Sequence, residues 1–113
     1  MSARFVIAAA ASLFGGGLPA IAAQEAALVE AGARIARESC ISCHAVEAGD
    51  AKSAGRRQTG DAPAFGAIAA MPSTTEVAIK VFLQTPHPNM PNIMLTQAEI
   101  DALTAYILDF RNR

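Results

Sequence analysis

Cys40-Ile41-Ser42-Cys43-His44 is the stretch on which the reading of this chain turns. Two cysteines with two residues between them, followed at once by histidine, form C-x-x-C-H, the attachment spacing of a c-type haem. Each thiol adds across one vinyl group of the porphyrin to make a thioether. The two intervening residues let both sulfurs reach the two vinyls from one turn of chain. His44 then sits beneath the ring, where its imidazole can bind the iron from the proximal side. Other uses of the two cysteines fit less well. A zinc site asks for two more Cys or His at matched spacing, and only His87 remains. A thioredoxin-like C-x-x-C asks for neighbouring strands, which the sequence does not suggest. A disulfide across so small a loop adds little stability.

The N-terminus reads as a secretory signal. Arg4 supplies a positive start and Phe5 to Leu13 an apolar run, broken by Gly15, Gly16, Gly17 and Pro19. Ala20-Ile21-Ala22 fits A-x-A cleavage, so residues 1–22 are expected to be removed and 23–113 to form one monohaem domain. Cleavage after Ala23 is the near alternative. An uncleaved anchor is the other, but spanning a bilayer takes about 20 apolar residues and the glycines and proline interrupt this run first. Removal of the signal takes away one positive charge, shifting the formal charge from −1 to about −2. No basic stripe invites nucleic acid, and no membrane span is expected once the signal is gone.

Three helices are expected in the remainder. The first runs from about Glu25 to Ser39, with Leu28, Ala31, Gly32 and Ile35 on one face. A glycine within that face costs about 1 kcal/mol relative to alanine, which suggests that another element approaches closely there. Ala45 to Ala62, with three glycines among small and charged residues, reads as a loop. Ser73-Thr74-Thr75-Glu76 offers an S-x-x-E capping box for the second helix, which Pro86 must end. Thr96-Gln97-Ala98-Glu99 caps the last helix, where Ile100, Leu103, Ile107 and Phe110 recur at helical spacing.

A haem bound at His44 leaves the opposite face of the iron to be filled, and Met71, His87, Met90 and Met94 are available. Met90 is the first choice, because Pro88 and Pro91 stiffen its loop. A thioether also favours the reduced iron. Met71 and Met94 read as core filling. His87 reads as a surface or haem-edge residue, with bis-histidine ligation through it as the rival arrangement.

These features together resemble a small class I cytochrome c: C-I-S-C-H, Gly32 before it, Ala62-Pro63-Ala64-Phe65, Pro88-Asn89-Met90-Pro91 and a closing helix bearing Tyr106. The resemblance covers essentially the whole chain after the signal. It implies an all-α, small cytochrome c fold whose N- and C-terminal helices cross near the covalently bound haem, Gly32 meeting Tyr106. It further implies one haem c per chain, bound through Cys40, Cys43, His44 and Met90, with His44 and Met90 as iron ligands. Pro63 matches the proline whose carbonyl accepts a hydrogen bond from the proximal histidine; alternatively it only shapes a turn. The chain also departs from its relatives. Tryptophan is absent, so Arg56, Arg57 or Tyr106 would have to serve a haem propionate. Lys52 and Lys80 are the only lysines, so the lysine ring that mitochondrial relatives use for docking is missing.

The expectation is therefore a monomeric, periplasmic one-electron carrier, not an enzyme, that meets redox protein partners such as a dehydrogenase, an oxidase or a membrane complex. Two other readings stay open. One is a haem c subunit working only within a periplasmic dehydrogenase or oxidase complex. The other is a five-coordinate haem acting as a peroxidase or gas sensor.

Overall fold

The computed structural model describes residues 17–49 and 62–113, and everything in them is helix, turn or loop apart from one isolated bridge between His87 and Met90. Four helices follow in order: α1 (Gly17–Ser39), α2 (Phe65–Ala70), α3 (Glu76–Gln84) and α4 (Gln97–Asp109), closed by a 3-10 turn at Phe110–Asn112. The expected signal residues Arg4 and Phe5 to Leu13, and the loop residues Lys52, Gly55, Arg56, Arg57 and Gly60, lie outside the described residues.

α1 begins at Gly17 rather than near Glu25. Pro19 falls in its first turn, where a missing N–H costs nothing, and the alanines that follow are strong helix formers. Its buried face is also rotated from the expected one. Gly32, Ala33 and Ala36 are buried, with Val29 beside them, while Leu28 is 40% exposed. The reason lies in α4. A Cβ placed on Gly32 would collide with the carbonyl oxygen of Ala102 and stand 2.7 Å from Tyr106 Cβ. The two helices therefore touch backbone to backbone, and only the smallest side chains of α1 can face that contact. Bulkier Ile35 is displaced to the flank, toward the cleft described below.

α4 begins with the expected capping box. Thr96 Oγ1 accepts from Glu99 N at 3.3 Å, and the Glu99 carboxylate accepts from Thr96 N at 2.7 Å. Ile100, Leu103, Tyr106 and Ile107 enter the core, and Tyr106 is only 1% exposed. Its hydroxyl donates to the Val46 carbonyl at 2.6 Å, tying the end of the chain to the segment just after His44. Burial, with the charge of Glu47 nearby, pushes this phenol up and so keeps it a donor.

α3 is capped two residues later than the S-x-x-E pattern suggests. Thr75, not Ser73, is the N-cap and accepts from Ala78 N at 3.1 Å. No reciprocal bond from Glu76 forms, because Glu76 is then the first helical residue and its carboxylate instead meets Lys80 at 2.6 Å. Lys80 also reaches Asp101 at 2.9 Å, joining α3 to α4. The helix stops at Gln84, and Thr85, the residue before Pro86, is extended as such residues prefer.

α2 was not expected. It has no side-chain cap and holds six residues, with Met71 extended before Pro72 at its end. Tertiary bonds hold it instead. Phe65 N donates to the Ala45 carbonyl at 2.9 Å, and Arg111 Nε donates to the Ala69 carbonyl at 2.8 Å while its Nη2 reaches the Thr74 carbonyl. Phe65 packs with Tyr106 and Phe110 in edge-on aromatic contacts at centroid separations of 6.3 and 6.5 Å.

Candidate haem site

The attachment motif leaves α1 without a break. Cys40 N still donates to the Ala36 carbonyl at 2.9 Å, so Cys40 keeps helical pairing at the end of α1. Cys43 N and His44 N then both donate to the Cys40 carbonyl, at 3.1 and 2.9 Å, and wrap the motif into a single turn. Both cysteines are thereby held on one loop of backbone, as two thioethers to one ring require. Cys40 is buried, and that burial, with Cys43 beside it, pushes its thiol up to about 11. Arg37 on α1 reaches past the turn to Glu47 at 2.9 Å.

His44 is oriented from across the chain. Its Nδ1 lies 2.6 Å from the Pro63 carbonyl oxygen, and its ring leans on Phe65 with centroids 5.4 Å apart. A carbonyl can only accept, so Nδ1 carries the hydrogen of this bond. In a neutral imidazole, Nε2 is then left with its lone pair for a metal. Phe65, at the start of α2, is thus both the wall against the imidazole and the residue after the Pro63-Ala64 step that carries the carbonyl.

Cys40 lines a narrow cleft, partly open to solvent, together with Ile35, Leu83, Leu103, His87 and Met90. Met90 is half-buried there, on the loop between α3 and α4, and Pro91 lines the cleft beside it. Met71 and Met94 do not fill the core as expected, being 46% and 88% exposed. His87 is half-buried and lines the same cleft. Its ring stacks on Phe82 with centroids 3.8 Å apart, its Nδ1 lies 2.8 Å from the Thr85 carbonyl, and its Nε2 is buried.

The model of the family described as cytochrome c oxidase, cbb3-type, subunit III matches residues 27–107. The chain belongs to the c-type cytochromes. Cytochrome c-552 of Bradyrhizobium diazoefficiens is similar, with 35% identity over 80 residues, covering 71% of this chain and 72% of the relative. No solved structure matches the chain. The cytochrome is thus a haem-based electron-transfer protein in the plain sense of its family, whose members are typically carriers rather than enzymes. Its cofactor is haem c, and Cys40 and Cys43 fit the attachment site. Cys40 and Met90 line the cleft among apolar residues, while Cys43 and His44 stand outside its lining. Cleft and attachment turn together suit that group, with an apolar wall, two thiols on one turn and an imidazole whose other nitrogen is already bonded. Among the described residues no helix of the cytochrome is long and apolar enough to cross a membrane.

Two contributions to the site have no local signature in the sequence. Arg111 braces α2 behind Phe65 across 42 positions. Tyr106, weighed above as a propionate partner, gives its hydroxyl to Val46 instead. The S/T-x-x-E pattern found α4 but could not have found either.

Proposed function

We propose that the cytochrome is a periplasmic one-electron carrier whose haem iron is held by His44 on one side and Met90 on the other. The bond from His44 Nδ1 to the Pro63 carbonyl carries this reading, because it fixes the imidazole with Nε2 available as a ligand. Met90 supports it by lining the same cleft as Cys40, on a loop whose prolines limit its movement. When bound, the haem supplies the change between Fe(II) and Fe(III). The protein's part is to keep the surroundings alike in both states. Pro63 and Phe65 hold His44, Pro88 and Pro91 restrain Met90, and Ile35, Leu83 and Leu103 give the cleft an apolar wall. Little rearrangement then accompanies electron transfer.

Export and removal of residues 1–22 belong to the same proposal. The first described residues of α1 are solvent-exposed, and its core contacts begin at Val29. Loss of the leader therefore takes nothing from the described core. Contacts with redox partners are expected to be small and transient. A lysine ring is not the means of docking, since Lys80 is already paired with Glu76 and Asp101.

Carbon monoxide added to the reduced, haem-loaded protein tests the reading. A filled distal face predicts little binding at neutral pH, and a methionine-to-iron(III) band in the near infrared of the oxidised protein. Fast, complete carbon monoxide binding would instead support a five-coordinate peroxidase or sensor. The match to an oxidase subunit family favours a second reading, in which the cytochrome works inside a larger complex. A stable partner co-purifying from native membranes or periplasm would select it.

A further inference from the structure

His87 repeats the hydrogen-bonding arrangement of His44. In both residues Nδ1 faces a backbone carbonyl, Pro63 at 2.6 Å for His44 and Thr85 at 2.8 Å for His87. The carbonyl can only accept, so each Nδ1 bears a hydrogen, and in neutral imidazole each Nε2 bears a lone pair. At His87 that lone pair is buried, has no hydrogen-bond partner and belongs to a residue lining the same cleft as Cys40 and Met90. A buried polar atom without a partner is costly, and here nothing in the described chain meets it. A propionate carboxylate is a poor match, since two acceptors would face each other. Iron is a good match, because ligating histidines are held by just such a bond at the other nitrogen.

We propose that His87 is a reserve axial ligand, which takes the distal position on the iron whenever Met90 leaves it. This rests on the proposal that His44 and Met90 are the resting ligands. The exchange breaks an Fe–S coordinate bond and forms an Fe–N one, with the iron's oxidation state unchanged and no proton released. The isolated bridge between His87 and Met90 makes it a local movement, because the two residues sit across one tight turn of a single loop. Stacking on Phe82 holds the imidazole ready, and Phe82 is itself half-exposed on α3, so the ring can shift without opening the core.

The test uses the haem-loaded protein, its Met90→Ala variant and the Met90→Ala, His87→Ala double variant. Met90→Ala is expected to lose the near-infrared methionine band yet stay low-spin, with the electron paramagnetic resonance of two imidazole ligands. The double variant is expected to be high-spin. If His87 holds the iron nine-tenths of the time, carbon monoxide binds Met90→Ala about tenfold more slowly than the double variant. A high-spin Met90→Ala protein that binds carbon monoxide as fast as the double variant overturns the reserve role while leaving Met90 as the resting ligand. A wild-type spectrum with no methionine band, unchanged in Met90→Ala, overturns the resting assignment itself, and with it the reserve role. Should the variants fail to mature, mild guanidinium titration of the oxidised wild type decides. Loss of the methionine band with low-spin iron retained, before helicity falls, supports the exchange. Loss of both together overturns it.

Discussion

Replacing Gly32 by alanine sets two effects of opposite sign against each other. On propensity alone the change stabilises α1, by about 1 kcal/mol. In the structure, however, the new methyl would collide with the Ala102 carbonyl oxygen and lie 2.7 Å from Tyr106 Cβ, where ordinary contact begins at 3.4 Å. Neither obstacle can turn away, since one is main chain and the other is the first side-chain atom of a helical residue. α1 and α4 must therefore separate, which also loosens Ala33, Ala36 and Leu103. Overpacking of a tight contact costs about 1–3 kcal/mol, and the rigidity here places it at the upper end. The net effect is a loss of about 2 kcal/mol. For a domain of this size that lowers Tm by roughly 8–16 °C. Thermal unfolding of the haem-loaded variant, followed by far-UV circular dichroism, measures the shift. Guanidinium denaturation should give a lower midpoint at unchanged slope. A Gly32→Ala protein as stable as wild type, or more so, would mean that propensity wins and that the two helices do not touch as described.

Three further outcomes are expected. Tyr106→Phe removes the donor to the buried Val46 carbonyl and should cost about 1–2 kcal/mol in denaturant titration with helicity unchanged. Thr96→Ala removes the side chain that caps α4 and should cost about 1 kcal/mol in the same assay, whereas Ser73→Ala, off the true cap of α3, should change little. Bonds from the Thr96 backbone and side chain, in that order, hold the Glu99 carboxyl below its ordinary range. A folded-state value below the unfolded one gives stability that is full above the ordinary carboxylate range and lost on acidification through the folded value. Glu99→Gln should therefore flatten the acid limb of stability against pH; an acid limb identical to wild type would show that this carboxylate contributes nothing.

The parts of the fold written in short-range patterns are legible in the sequence itself. C-x-x-C-H marks its own chemistry through spacing, and Thr96 with Glu99 forms a cap that depends on three residues of chain. Gly32 was legible as a close approach because a glycine in an apolar helical face has few other uses. What escaped depends on distant partners. α2 has no cap and too few residues for periodicity, and it is held by Arg111 and Ala45 from elsewhere in the chain. The buried face of α1 differs from the one its hydrophobic spacing suggests because it follows side-chain size at the α4 contact, so Ala33 and Ala36 are buried and Leu28 is not. Ser73 lost the cap of α3 to Thr75, since three candidate hydroxyls in a row satisfy the same pattern. His87 showed only proline neighbours in sequence. Its significance comes from where the loop puts the Thr85 carbonyl and the Phe82 ring.

The bond between Tyr106 and Val46 also bears on the order in which the molecule is made. Its two ends are separated by 60 positions, so the last helix has to be present before the backbone beyond His44 is fastened. Closing so long a loop is slow compared with winding α1. A chain emerging N-terminus first therefore presents Cys40 and Cys43 on a turn already wound but not yet fastened down. Thioether formation has its easiest access in that interval, and docking of α4 then shuts the workshop door on the finished bonds.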